Sequence, residues 1–202
     1  MIRLWALALA LFPIPAFACE SVQYAGAGYT ICRVDAAKQD IRLFLKDPDN
    51  GSTLGTFGKV DQLLDKSGEK LTLAMNAGMY HPDRRPVGHY VENGQAQSPL
   101  ITADGPGNFG LLPNGVFCVE KSGARVVESR RFDREAPACR FATQSGPMLV
   151  IDGALHPRFL ENSDSTFIRN GVGTSADGRT VWFVISETAV NFHAFASLFR
   201  DH

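Results

Sequence analysis

Residues 71–81 read Leu71-Thr72-Leu73-Ala74-Met75-Asn76-Ala77-Gly78-Met79-Tyr80-His81, an apolar run that ends abruptly in amide, glycine and aromatic residues. Leu71, Leu73 and Met75 alternate with smaller or polar residues, the period-two pattern of a half-buried strand. Gly78 then frees the backbone to turn or to approach a neighbour closely. The stretch therefore predicts a strand that delivers Asn76, Gly78 and His81 to a loop, the arrangement in which binding groups are commonly presented.

Working outward, similar polar clusters recur where apolar runs end: Gln144-Ser145-Gly146-Pro147, Ser163-Asp164-Ser165 leading to Arg169-Asn170-Gly171, and Ser186-Glu187. If they converge, they supply amides, hydroxyls, a guanidinium and a carboxylate, a set suited to sugar hydroxyls and one phosphate. Turn chemistry alone accounts equally for each cluster taken singly. The loop Asp104-Gly105-Pro106-Gly107-Asn108-Phe109-Gly110 is glycine-rich and able to expose backbone N–H groups to an oxyanion. It lacks the Gly-Lys-Ser/Thr that a nucleotide-binding loop requires.

The remaining segments predict hairpins. Residues 29–34 and 41–45 are strand-like and joined by a polar link at 35–40. Thr56 is placed to cap a short helix carrying Phe57, Val60 and Leu64 on one face, with Gly68 beyond its end. Residues 87–92 form a strand closed by Asn93-Gly94, and Pro113-Asn114-Gly115 reads as a turn between two apolar pairs. Residues 148–151 and 154–156 flank Asp152-Gly153, and residues 169–174 and 180–186 flank a turn centred on Asp177-Gly178. Residues 191–200 carry Phe192, Phe195, Ala196 and Phe199 at helical spacing. Hairpins rather than βαβ units join the strands, so the expected class is α+β, with a mixed, largely antiparallel β-sheet core and a few flanking helices.

The 202 residues suit one domain, with 20 Lys plus Arg against 21 Asp plus Glu. That balance offers no electrostatic case for nucleic acid or an anionic membrane. Arg3, the apolar residues 4–12 and Ala16-Phe17-Ala18 form an export signal over residues 1–18, too short to span a bilayer, with cleavage expected after Ala18. A lipid-modified Cys19 is the alternative, but Ala16 and Phe17 are unsuited to that signal. Residues 19–202 are then expected to form one domain in the periplasm or outside the cell, with no transmembrane segment in the mature chain. In such an oxidising compartment Cys19, Cys32, Cys118 and Cys139 are expected as disulfides, preferably Cys19–Cys32 and Cys118–Cys139, each closing a short loop around a hairpin. A zinc site is the alternative, against which the spacings argue.

The histidines His81, His89, His156, His193 and His202 are scattered, and no nucleophile elbow or paired-His zinc motif is present. The stretches Met75-Asn76-Ala77-Gly78-Met79-Tyr80, Gly107-Asn108-Phe109-Gly110-Leu111-Leu112-Pro113-Asn114-Gly115, Gln144-Ser145-Gly146-Pro147-Met148-Leu149, Ile168-Arg169-Asn170-Gly171-Val172-Gly173 and Val190-Asn191-Phe192 together resemble the bacterial exported branch of the phosphodiester glycosidase family. The resemblance runs in order from about Tyr29 to Asp201. It implies a hydrolase of sugar 1-phosphodiester bonds acting on a glycan or sugar-phosphate substrate; the sequence itself assigns no cofactor and no metal ligand. It places Asn76, Gly78, Ser145, Gly146, Arg169 and Asn170 in pocket-forming motifs; with Glu187 added as the carboxylate after a strand and His81 from the opening cluster, the catalytic candidates are Asn76, Arg169 and Glu187 and the substrate-binding candidates Gly78, His81, Ser145, Gly146 and Asn170. In that reading Arg169 grips the phosphate bidentately and Asn76 and Ser145 orient sugar or phosphate oxygens, while Glu187 is the available carboxylate. His89 departs from the apolar residue expected in its motif. The resemblance also implies a further strand with an Asp-Gly motif beyond the final helix, so the chain reads as C-terminally shortened and its activity as impaired. The competing readings are a non-catalytic module that binds an envelope polymer and a metal-dependent phosphodiesterase that cleaves at phosphorus.

Overall fold

The computed structural model describes residues 17–202. The expected export segment lies outside them except for its last two residues, which open the first strand. Two antiparallel sheets stack face to face, each carrying a helix on its outer side.

The first sheet contains β1 (Phe17–Tyr24), β2 (Ala27–Asp35), β10 (Asn170–Thr174) and β11 (Thr180–Ser186) in the order β1-β2-β11-β10. The second contains β3 (Tyr90–Glu92), β4 (Gln95–Ser98), β5 (Gly115–Val119), β6 (Ala124–Glu128) and β7 (Phe141–Ser145) in the order β4-β3-β7-β5-β6. A small hairpin, β8 (Val150–Ile151) and β9 (Ala154–Leu155), stands apart. Every strand pairing is antiparallel, as the hairpin pattern predicts.

Period-two alternation decides what each face buries. Val34 and Val181 of the first sheet meet Tyr90, Phe117, Val119 and Phe141 of the second, with Leu43 among them. On the opposite face of the first sheet Tyr29, Ile31 and Val184 pack on Phe195 and Leu198 of the helix Phe192–Asp201. Gly171 and Gly173 make that approach possible, because a Cβ at either would press on Phe199. The outer face of the second sheet is covered by Phe132 from the helix Ser129–Glu135 and by the disulfide Cys118–Cys139. The other disulfide, Cys19–Cys32, joins directly opposed residues of β1 and β2. At one side the sheets are stitched together, Ala124 N–H donating to the Gly178 carbonyl at 2.9 Å and Val126 N–H to Thr174 Oγ1 at 3.3 Å.

The expected capped helix spans Phe57–Asp65, with Thr56 Oγ1 accepting from Lys59 N–H at 3.4 Å. Asn93 and Gly94 take positive φ values of 52° and 76°, making the tight turn between β3 and β4. Three expectations fail. Residues 29–34 do form a strand, but both edges of β2 are taken by β1 and β11, so residues 41–45 form no hairpin with it, and Leu45 instead accepts at its carbonyl from Leu54 N–H at 3.0 Å. Residues 71–75 form no strand and belong to no ladder. Pro113-Asn114-Gly115 is no hairpin turn: Gly115 already begins β5, and Asn114 is fully buried, donating from Nδ2 to the Phe109 carbonyl at 2.9 Å.

Candidate functional site

The loop at residues 76–78 spans the two sheets. On one side Asn170 Nδ2, at the start of β10, donates to Asn76 Oδ1 at 2.7 Å. On the other, Gly78 lies against β7 with φ of 60°, so close that a Cβ would collide with Thr143 Oγ1 and the Gln144 carbonyl. Both the left-handed backbone and the missing side chain are thus required at Gly78. Beneath it Gln144 is a buried clasp: Oε1 accepts from His89 and Ile101 N–H at 3.0 and 3.1 Å, and Nε2 donates to the Ile101 carbonyl at 2.6 Å. Ser145 ends β7, Gly146 is pressed on the Asn114 side chain, and the buried Asn114 Oδ1 has no partner among the described residues.

Arg169 precedes Asn170 and is buried, with 8% of its surface exposed. Its main chain is locked to β11: Arg169 N–H donates to Ser186 Oγ at 2.9 Å, and Ser186 N–H donates to the Arg169 carbonyl at 2.8 Å. Its guanidinium lies 3.6 Å from the centre of the Phe192 ring, donates from Nε to the Val190 carbonyl at 2.8 Å and from Nη2 to the Ser165 carbonyl at 3.0 Å. Burial pushes its pKa below the ordinary arginine value, yet the group stays cationic. Among the described residues no carboxylate pairs with it. The expected bidentate phosphate grip is altered by this geometry, since the side-on edge formed by Nε and Nη2 is occupied by carbonyls. What remains is a positive field and the donors at the end of the guanidinium.

The other candidates lie further out. Glu187 is exposed and accepts from Thr30 Oγ1 at 3.3 Å. Glu187 directly follows β11, the strand beside Asn170, two residues beyond Ile185, which opposes Asn170; its carboxylate turns to Thr30 on β2, on the far side of β11 from β10. His81 is exposed on a turn in which its N–H donates to the Arg85 carbonyl at 2.8 Å. It is not gathered to the Asn76–Asn170 pair. Thr143 had no individual signal in the sequence, Asn114 was marked as a turn and motif residue and Ser186 only as part of a strand-end cluster; Phe192 lies in a conspicuous motif, but its stacking on Arg169 is visible only in three dimensions.

Cavity geometry adds a separate feature. A cavity of about 860 Å³ is lined by Asn76 and Gly78 and otherwise largely by apolar residues between the sheets. Arg169, Asn170, Ser145 and Glu187 do not line it. The polar cluster and the apolar groove are therefore neighbours rather than one site.

A profile of the phosphodiester glycosidase family matches residues 69–202, the part that carries every residue of the polar cluster. The chain is also similar to the uncharacterized protein YigE of Escherichia coli (strain K12), with 35% identity over 192 residues, covering 94% of this chain and 74% of that protein. This chain is a member of the phosphodiester glycosidase family. Membership supports a hydrolase-like function on a glycan-type substrate. The two disulfides fit a protein that resides in an oxidising compartment. No helix among the described residues is long and apolar enough to cross a membrane.

Proposed function

We propose that this protein is an exported hydrolase of glycosyl phosphodiesters, acting with residues 19–202 as one domain in the periplasm or outside the cell. The observation that carries the reading is the Asn76–Asn170 hydrogen bond of 2.7 Å, which joins motifs 94 residues apart beside a buried cation that has no carboxylate partner among the described residues. A buried, uncompensated guanidinium favours an anionic ligand, and the two amides beside it can exchange their mutual bond for sugar or phosphate oxygens.

The bond to be cleaved shapes the division of labour. Its leaving group is already a phosphate ester anion, so little proton donation is needed. Positioning and charge stabilisation matter more. In this reading Asn76 and Asn170 orient the substrate, with Gly78, Ser145 and Gly146 forming the wall beside β7. Arg169 stabilises the departing phosphate through its field and its end-on donors. Glu187 is the carboxylate available to activate water, and because its side chain turns to Thr30 on β2 the substrate would reach across the end of β11. His81 would contact only the outer part of such a substrate.

The test is release of free sugar from a GlcNAc-1-phosphodiester by the full chain. Hydrolysis that falls at least tenfold in Asn170→Ala and in Glu187→Gln supports the reading. Retention of a sugar-phosphate polymer without any release would instead make the protein a binding module, and cleavage at phosphorus, leaving sugar phosphate, would overturn the proposed bond.

A further inference from the structure

Directly opposed residues of an antiparallel sheet carry their side chains on the same face, so the register of the first sheet lays out a row. Asn170 of β10, Ile185 of β11, Thr30 of β2 and Ser21 of β1 stand in that order, on the face that carries Val34 and Val181. One row inward, Val172 and Phe183 pack against the core between the sheets and Cys32 is buried. At Ile185 that cover has ended: the side chain is exposed to 46% although β11 has a strand on either side. One row outward, Glu187 N–H donates to the Gly28 carbonyl at 2.8 Å, and Gly28 opposes Gln23. A Cβ at Gly28 would collide with Glu187 Oε2 and Gln23 Nε2, so these two side chains converge over the glycine. Thr30 Oγ1 joins them, donating to the Glu187 carboxylate at 3.3 Å.

An uncovered isoleucine bordered by amides, hydroxyls and a carboxylate is complementary to a sugar ring, which is apolar on its C–H face and bears hydroxyls around its rim. An alkyl chain would cover Ile185 and leave those polar groups without partners. Neither row contains a Lys or Arg, so the shelf does not suit a second phosphate. It is continuous with Asn170, whose amide is bonded to Asn76, and from Asn170 to Ser21 it crosses three strand spacings, about 14 Å, more than one sugar ring needs. We propose, resting on the glycosyl phosphodiester reading, that this shelf binds a second sugar, linked to the sugar at Asn76 and Asn170 on the side away from the phosphate. Ile185 supports the apolar face of that second ring, and Thr30, Ser21 and Gln23 bind its hydroxyls. The substrate class is then an oligosaccharide or polysaccharide 1-phosphodiester, and a single sugar fills only part of the site.

The test measures binding, so its result does not depend on turnover, and loss of hydrolysis alone would bear only on the proposed reaction. The full chain is titrated with non-cleavable phosphonate analogues of GlcNAc-1-phosphodiester and of its 1,3-, 1,4- and 1,6-linked disaccharides, followed by amide NMR. At least one disaccharide should bind tenfold or more tightly than the monosaccharide and shift the amides of residues 21–30 and 183–187, which the monosaccharide should leave largely unmoved. Ile185→Thr and Gln23→Ala, both exposed positions, should each weaken the disaccharide at least fivefold and leave the monosaccharide within twofold. The proposal is overturned if no disaccharide gains over the monosaccharide, if the gain leaves those amides unshifted, if both variants weaken the two ligands equally, or if an alkyl group in place of the second sugar gives the same gain.

Discussion

Replacing Gly78 by Ala should loosen the loop that presents Asn76, and the structure allows the effect to be divided. Gly78 adopts φ of 60°, where an alanine is strained by roughly 1–2 kcal/mol. Its new methyl would also meet Thr143 Oγ1 and the Gln144 carbonyl; overpacking of this kind costs about 1–3 kcal/mol. Set against these is a gain of roughly 0.4–1 kcal/mol from restricting the unfolded chain. The net loss is thus about 1–4 kcal/mol. Gly94→Ala provides the control, because Gly94 has φ of 76° but a methyl added there would meet nothing within 4 Å. Only the backbone strain and the unfolded-state gain act at that position. Urea unfolding followed by circular dichroism should therefore show Gly78→Ala to be the more damaging by about 1–3 kcal/mol. Adding Thr143→Ala to Gly78→Ala should recover part of that difference, since one of the two colliding groups is removed. Equal destabilisation at Gly78 and Gly94 would refute the claim that the loop is pressed onto β7.

Other perturbations probe the same region from different sides. Arg169→Lys cannot reproduce the paired contacts to Val190 and Ser165, and should destabilise the chain by about 1–3 kcal/mol in the same unfolding assay; unchanged stability would show that those contacts are not holding residues 165–190. A double-mutant cycle of Asn76→Ala and Asn170→Ala should give a coupling energy of about 0.5–1.5 kcal/mol, and additive effects would deny the bridge. His156 is buried, donates from Nε2 to the Leu112 carbonyl at 3.1 Å and accepts at Nδ1 from Arg158 N–H at 3.2 Å, so the neutral ring is favoured and burial lowers its pKa. Because the unfolded chain then binds the proton more readily, its stabilising contribution is full above the ordinary value of 6.5 and is lost as pH falls through the lower folded value. His156→Gln should flatten that part of the stability-versus-pH curve, measured by thermal unfolding from neutral to mildly acidic pH.

By itself the sequence determined the local elements whose causes are local. Thr56 caps its helix, Asn93-Gly94 and Asp152-Gly153 turn their hairpins, and residues 170–174 and 180–186 pair across a short link. It also favoured the cysteine pairs that form, because each closes a short loop, and pointed to the family through motifs in order. Strand partnership was beyond it. Alternation at residues 41–45 and 71–75 suggests a strand but holds no information about whether a neighbour is available; for residues 41–45, β1 and β11 had already taken both edges of β2. The chemistry divides in the same way. Polar residues at strand ends announced themselves as candidates, whereas only the stacking of the sheets decided that Asn76 meets Asn170, that Arg169 is buried without a counter-charge among the described residues, and that Glu187 and His81 stand apart. Hydrogen bonding and burial between residues about a hundred positions apart depend on the whole packing, which no single stretch of chain specifies.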